Sequence, residues 1–141
     1  MHPLIEKYNA LNHFGRHHFH LLSAENGRCH YQMRVKPEHL ALPVSVHGGM
    51  LAALMDACTG VAALSLSAID GKFLNTLELK VQYVSPARPN TLLDAHGTVT
   101  FAGGSIYYAE GKITCEGSLI ALSTATFKSY PAAKIPVTPK V

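Results

Sequence analysis

One acid interrupts the most apolar stretch of the chain. Between Met50 and Ala68 the only charge is Asp56, with Leu51, Leu54, Met55, Cys58 and Val61 around it and no Lys or Arg within one helical turn. Burying an unpaired carboxylate is costly, so an acid in such surroundings points to a functional role, against the plainer reading of a solvated or locally hydrogen-bonded Asp. His47-Gly48-Gly49 stands just upstream. Two glycines at a helix start let a ligand approach the backbone closely, and the first N–H groups there have no helical partner and can polarise an oxygen. Asp56 follows the glycines by about two turns, so all three share roughly one side of the helix. If that side faces a symmetry-related copy, the glycine end of one helix meets the carboxylate of the other. A donor for an oxyanion and a base then converge on one substrate.

These residues need elements to hold them. Leu4, Ile5, Tyr8 and Leu11 are spaced as in a short amphipathic helix over Met1 to Asn12. Strand-like runs follow at His18 to Ala24 and Arg28 to Val35, around the hairpin signal Asn26-Gly27. Lys36 to Val46, with Pro37 and Pro43, reads as a loop. The long helix spans Gly48 to about Ala68, with Asp70-Gly71 as its stop. Four strand-like runs come next: Phe73 to Val84, Thr91 to Phe101, Ser105 to Thr114 and Ser118 to Lys128. In the first of these, alternation puts Leu77, Leu79, Val81 and Tyr83 on one face and Thr76, Glu78, Lys80 and Gln82 on the other. The tail from Tyr130, with Pro131, Pro136 and Pro139, is expected to be loose. The pattern predicts a single α+β domain over residues 1–141, an antiparallel sheet wrapped round a long central helix. Its open edges and face predict self-association as a dimer or tetramer.

Composition narrows the function classes. With 48% hydrophobic and 15% charged residues the chain is no disordered segment. A formal charge of +3 with scattered Lys and Arg lacks the basic stripe of a nucleic-acid binder. Cys29, Cys58 and Cys115 are odd in number and widely spaced, which argues against a disulfide framework and a structural zinc site. The N-terminus does not read as a signal peptide, so a cytoplasmic protein is expected. Met50 to Ala68 approaches the length of a membrane span, yet its Asp, Thr, Gly and Ser content favours a helix buried in a domain core, and no membrane partner is expected. His13, His17, His18 and His20 resemble a metal cluster, but on a strand His17 and His18 point to opposite faces and no acid or Cys sits at ligand spacing. No metal and no cofactor are expected. Cys58 reads as packing, His47 as fixing the turn and Ser45 as helping to cap the helix.

Taken together, His47-Gly48-Gly49-Met50-Leu51-Ala52-Ala53-Leu54-Met55-Asp56 resembles the H-G-G…D signature of PaaI-type hot-dog-fold thioesterases. The element order agrees, and Tyr83-Val84-Ser85-Pro86-Ala87 is similar to the family's Y-x-x-P-A segment. The resemblance covers nearly the whole chain. It implies the hot-dog fold and hydrolysis of acyl-CoA thioesters between two subunits. Gly48 would hold the carbonyl oxygen through its N–H, with His47 and Gly49 beside it at the substrate. Asp56 of the facing subunit would serve as general base or nucleophile, and Thr76 would help position the water. One position departs: Ala41 stands where relatives often carry Asn. That departure motivates an alternative, a module binding acyl-CoA or an aromatic acid without turnover. A dehydratase or hydratase ranks last, for want of a catalytic His with its own acid.

Overall fold

The computed structural model describes residues 1–134. Helix α1 (Pro3–Leu11) starts with Pro3 in its first turn and His2 Nδ1 accepting from the Leu4 N–H. A second short helix, α2 (His13–His18), follows directly, capped by Asn12 Oδ1, which accepts from the Gly15 N–H at 2.9 Å. This corrects the expectation of a strand from His18: the Asn12 cap carries the chain through another helical turn. His17 and His18 are therefore helical neighbours rather than residues on opposite strand faces.

Strands β1 (His20–Glu25) and β2 (Arg28–Arg34) form the expected hairpin. Asn26 and Gly27 both take positive φ (52° and 75°), as a two-residue primed turn requires. The stretch expected as a loop contains a 3₁₀ turn (Pro37–His39) and two short paired strands, β3 (Leu40–Leu42) and β4 (Ser45–Val46). Helix α3 (Gly48–Ser67) ends in a 3₁₀ turn over Ala68–Asp70, closed by left-handed Gly71 at φ 67°. Strands β5 (Lys72–Tyr83), β6 (Leu92–Ala102), β7 (Ile106–Cys115) and β8 (Ser118–Pro131) complete the chain. Tyr130 and Pro131, expected in a loose tail, continue β8, paired with Phe73 and Lys72, and Ala132–Lys134 forms a 3₁₀ turn tied to the Gly71 carbonyl at 3.0 Å. The rest of that expected tail, 135–141, lies outside the described residues.

The antiparallel sheet has the order β1-β2-β6-β7-β8-β5 and wraps α3, which gives the expected hot-dog fold. Alternate residues of β2 (Cys29, Tyr31, Met33) and β6 (Leu93, Ala95) turn inward, so the helix is buried and its apolar composition belongs to the core. Two glycines permit the close approach. A Cβ on Gly97 would collide with the Cys58 carbonyl, and one on Gly111 with Ser123 Oγ and Met55 Sδ.

The alternation expected along β5 breaks at a bulge between Thr76 and Glu78. Leu77 is the surplus residue and is 57% exposed, not part of an inward row with Leu79 and Val81. Thr76 in turn reaches α3 and does not lie on the polar face with Glu78. An extra residue changes the parity of a period-two pattern, which is why uniform alternation assigns Thr76 to the wrong side.

Candidate functional site

Two groups of residues stand on α3, one at its start and one two turns in. At the start, His47 is the N-cap, and its Nδ1 accepts from the Gly49 N–H at 2.8 Å. The cap is thus His47 rather than Ser45, which lies in β4. The His47 N–H is itself held by the His39 carbonyl at 2.8 Å. Gly48 lies in the first helical turn, and among the described residues its N–H has no partner. Tyr83, at the end of β5, donates its hydroxyl to the Gly48 carbonyl at 2.7 Å and lays its ring 3.4 Å from where a Cβ of Gly48 would be. The Ala87 carbonyl accepts the Val46 N–H at 2.9 Å, so the Tyr83-to-Ala87 segment supports the approach to the helix on both sides.

Further along, Asp56 Oδ1 accepts the Thr76 hydroxyl at 2.8 Å, while Oδ2 has no partner among the described residues. The pair borders a cavity of about 60 Å³ whose lining includes Tyr8, Gly60, Phe73 and Phe127. The Tyr8 phenol is pushed up to about 12 by burial first and then by the Asp56 carboxylate, so it stays protonated beside that carboxylate. Its oxygen accepts from Asn12 Nδ2 at 3.2 Å. Burial likewise pushes the Cys58 thiol up to about 12, and a neutral thiol buried in the core is a packing group. A larger cavity of about 520 Å³ on the outer sheet face, with Lys80, His96 and Lys112 in its lining, contains none of these residues.

Of the residues expected from sequence, the fold brings Asp56 and Thr76 together, and separately His47, Gly48 and Gly49. The eight residues from Gly48 to Asp56 span ~12 Å of helix, too far for both to touch one carbonyl group. Ala41 is exposed in β3. Sequence reasoning missed Tyr8, Gly60, Phe73 and Phe127. Gly60 could have been found as the residue one turn beyond Asp56, whereas the other three arrive only through tertiary packing. The four clustered histidines do not share one site: His18 bonds His39 at 3.0 Å, His13 lies against Arg16 at 3.2 Å, and His17 and His20 border the same groove as His18. Among the described residues no group of three or more His, Cys, Asp or Glu could hold a metal.

Comparison with known proteins agrees with the fold. Residues 45–121 match the family model described as the thioesterase superfamily. Comparison with curated proteins finds no match. Among solved structures, the chain is similar to the PaaI protein of the E. coli phenylacetic acid degradation operon, at TM-score 0.82 and 18% identity over 89% of each chain. A conserved protein from Pseudomonas aeruginosa superposes at TM-score 0.81 with 21% identity, over 87% of this chain and 98% of that one. A hypothetical thioesterase from Streptococcus pneumoniae TIGR4, solved with coenzyme A, gives 0.74 and 21% over 82% and 88%. At these identities the neighbours speak for the fold, and the family match spans more than half of the chain and contains the His47-to-Asp56 segment. The chain belongs to the thioesterase superfamily.

Proposed function

We propose that the protein hydrolyses acyl-CoA thioesters at a site shared by two copies of the chain. The observation that carries this reading is the Thr76–Asp56 hydrogen bond, which holds one carboxylate oxygen and leaves Oδ2 without a partner among the described residues, on a side chain that borders a cavity lined largely by rings and aliphatic groups. The separation of Gly48 from Asp56 on one helix calls for the second copy. Edge strand β5, with Leu77 and Tyr83 exposed and Val84 just beyond it, is where that copy would pair.

In this arrangement the thioester carbonyl oxygen accepts the Gly48 N–H of one copy, and Asp56 of the other stands at the carbonyl carbon. As general base, Asp56 Oδ2 takes a proton from water while the water oxygen bonds to carbon. The oxyanion then collapses, the C–S electrons leave on sulfur, and the thiolate recovers the proton from Asp56. As nucleophile, the same oxygen bonds to carbon, the thiolate leaves, and water cleaves the resulting anhydride. Single-turnover hydrolysis in ¹⁸O water tests for the nucleophilic route, because label enters Asp56 only through an anhydride that water opens at the aspartyl carbonyl. One well-aimed oxyanion donor contributes about 10²–10³ in rate and a positioned base about 10²–10⁴.

The test is thiol release across short, medium, long and aromatic acyl-CoAs. Asp56→Ala is expected to lose about 10²–10⁴ in kcat, and Thr76→Val a smaller factor that Thr76→Ser restores. A wild type that turns over none of them, or an Asp56→Ala that keeps full activity, defeats the reading. Saturable CoA binding without turnover would instead support a binding module.

A further inference from the structure

The end of the sheet that carries Gly48 also carries a strongly basic groove. It measures about 260 Å³, and its lining includes Arg16, His17, His18, His20, Arg34 and Lys36 but no acid. Arg34 faces outward at the end of β2, opposite Leu92 at the start of β6. Helix α2 brings Arg16 and His17 over the same end, and His20 opens β1 opposite Gln32. Among the described residues, none of Arg16, Arg34 and Lys36 lies within ion-pair distance of a carboxylate. Three permanent cations gathered around one concavity repel one another unless an anion joins them.

The groove is tied to the helix start. Lys36 and His39 bond twice, Lys36 N–H to His39 Nδ1 at 3.0 Å and His39 N–H to the Lys36 carbonyl at 2.9 Å. The His39 carbonyl in turn holds the N–H of His47, the residue before Gly48. Because His39 Nδ1 accepts, its ring proton sits on Nε2, facing His18 Nδ1 at 3.0 Å. The same buried histidine thus anchors the groove wall and the approach to α3.

We propose that this groove seats the phosphate groups at the nucleotide end of the thioester substrate while the acyl carbon lies over Gly48. The inference rests on the acyl-CoA reading. The Arg34 fork matches phosphate oxygens in pairs and Lys36 adds a point charge, while Arg16, whose guanidinium nitrogens meet the Ala10 carbonyl and His13 Nδ1, adds its charge alone. The acyl-pantetheine end of the same molecule is uncharged and gives the groove nothing to hold.

The experiment is calorimetric titration of the full chain with coenzyme A, adenosine 3′,5′-bisphosphate, pantetheine and inorganic phosphate. The proteins are the wild type, Arg34→Ala/Lys36→Ala, and Lys112→Ala as a control on the outer sheet face, with circular dichroism confirming that each is folded. The double variant is expected to weaken coenzyme A and the bisphosphate by about tenfold or more, as added salt does, while Lys112→Ala binds like wild type. In kinetics, the preference for acyl-CoA over the same acyl group on N-acetylcysteamine should fall by a similar factor. Unchanged coenzyme A affinity in the double variant overturns the proposal and leaves the thioesterase reading standing. Inorganic phosphate binding as tightly as coenzyme A also overturns it, since the groove would then be a general anion site. If no thioester is turned over but the double variant still loses coenzyme A, the groove assignment holds and the hydrolytic reading falls.

Discussion

Asp56 and Thr76 meet across a gap in sequence that neither residue advertises, and the meeting gives the carboxylate two unlike oxygens, one bonded and one open. Asp56 and Gly48 were legible in the sequence because their signal is local: a charge amid Leu and Met, and glycines two turns before it. Tyr8 and Phe127 were not, since a ring on α1 and another on β8 look like ordinary core residues until the chain is folded. His39 shows the same limit. It carries no motif, yet it is 1% exposed and joins Lys36, His18 and His47. Burial, with His18 and Lys36 adding to it and Glu38 opposing, holds its pKa below the ordinary histidine value. The folded chain therefore binds fewer protons at His39 than the unfolded chain does once the pH drops below about 6.5. Its contribution to stability is intact above that pH and declines below it. Urea denaturation at pH 7.5 and 5.5 should give a lower midpoint at 5.5. His39→Gln, which does not titrate, should flatten the dependence while lowering the midpoint at both pH values.

At the scale of elements, the apolar helix and the four strands after it could be read from pattern, because hydrophobic period and turn chemistry agree along each of them. Two features could not. The Asn12 cap turns an expected strand start into α2, since a single side-chain hydrogen bond outweighs the weak preferences of His and Phe. The surplus residue in β5 is invisible to a period-two reading that presumes no interruption. Helix and sheet approach so closely that one strand position has no room for a methyl group. Gly97→Ala should destabilise the protein by about 1–3 kcal/mol or more, read as a lower denaturation midpoint, because the Cys58 carbonyl it meets is backbone and cannot rotate away. The equivalent change at Gly71 removes a left-handed turn residue but meets nothing within 4 Å, so steric overpacking should not contribute there.

For the whole molecule, the question is how a helix start and a carboxylate ~12 Å apart serve one reaction. The proposed second copy would answer it, and that proposal can be tested without knowing the acyl group. Gly48→Pro deletes the one N–H in question and sets its ring against Tyr83, at ordinary van der Waals distance for the Cβ. Proline suits a first helical turn, and His47 at φ −58° and ψ 130° already has the extended conformation a following proline requires. Gly48→Pro and Asp56→Ala should each be inactive alone. Mixed, unfolded and refolded together, they should recover roughly a quarter of wild-type activity, because half the dimers are mixed and each of those has one intact site. No recovery would place both groups in sites confined to single chains.

The bulge in β5 bears on folding as well as on chemistry. A perfectly regular edge strand can slide along β8 by two residues and still present a greasy face to the core, with only its pairs changed. A strand with one surplus residue has a landmark: slide it, and Leu77 falls where β8 expects a paired residue. Thr76 therefore reaches Asp56 because the strand has a single place to dock, much as a key's notch admits it at one depth. The hydroxyl's position is inherited from counting along the backbone, and the hydrogen bond it makes is a result of that count rather than its cause.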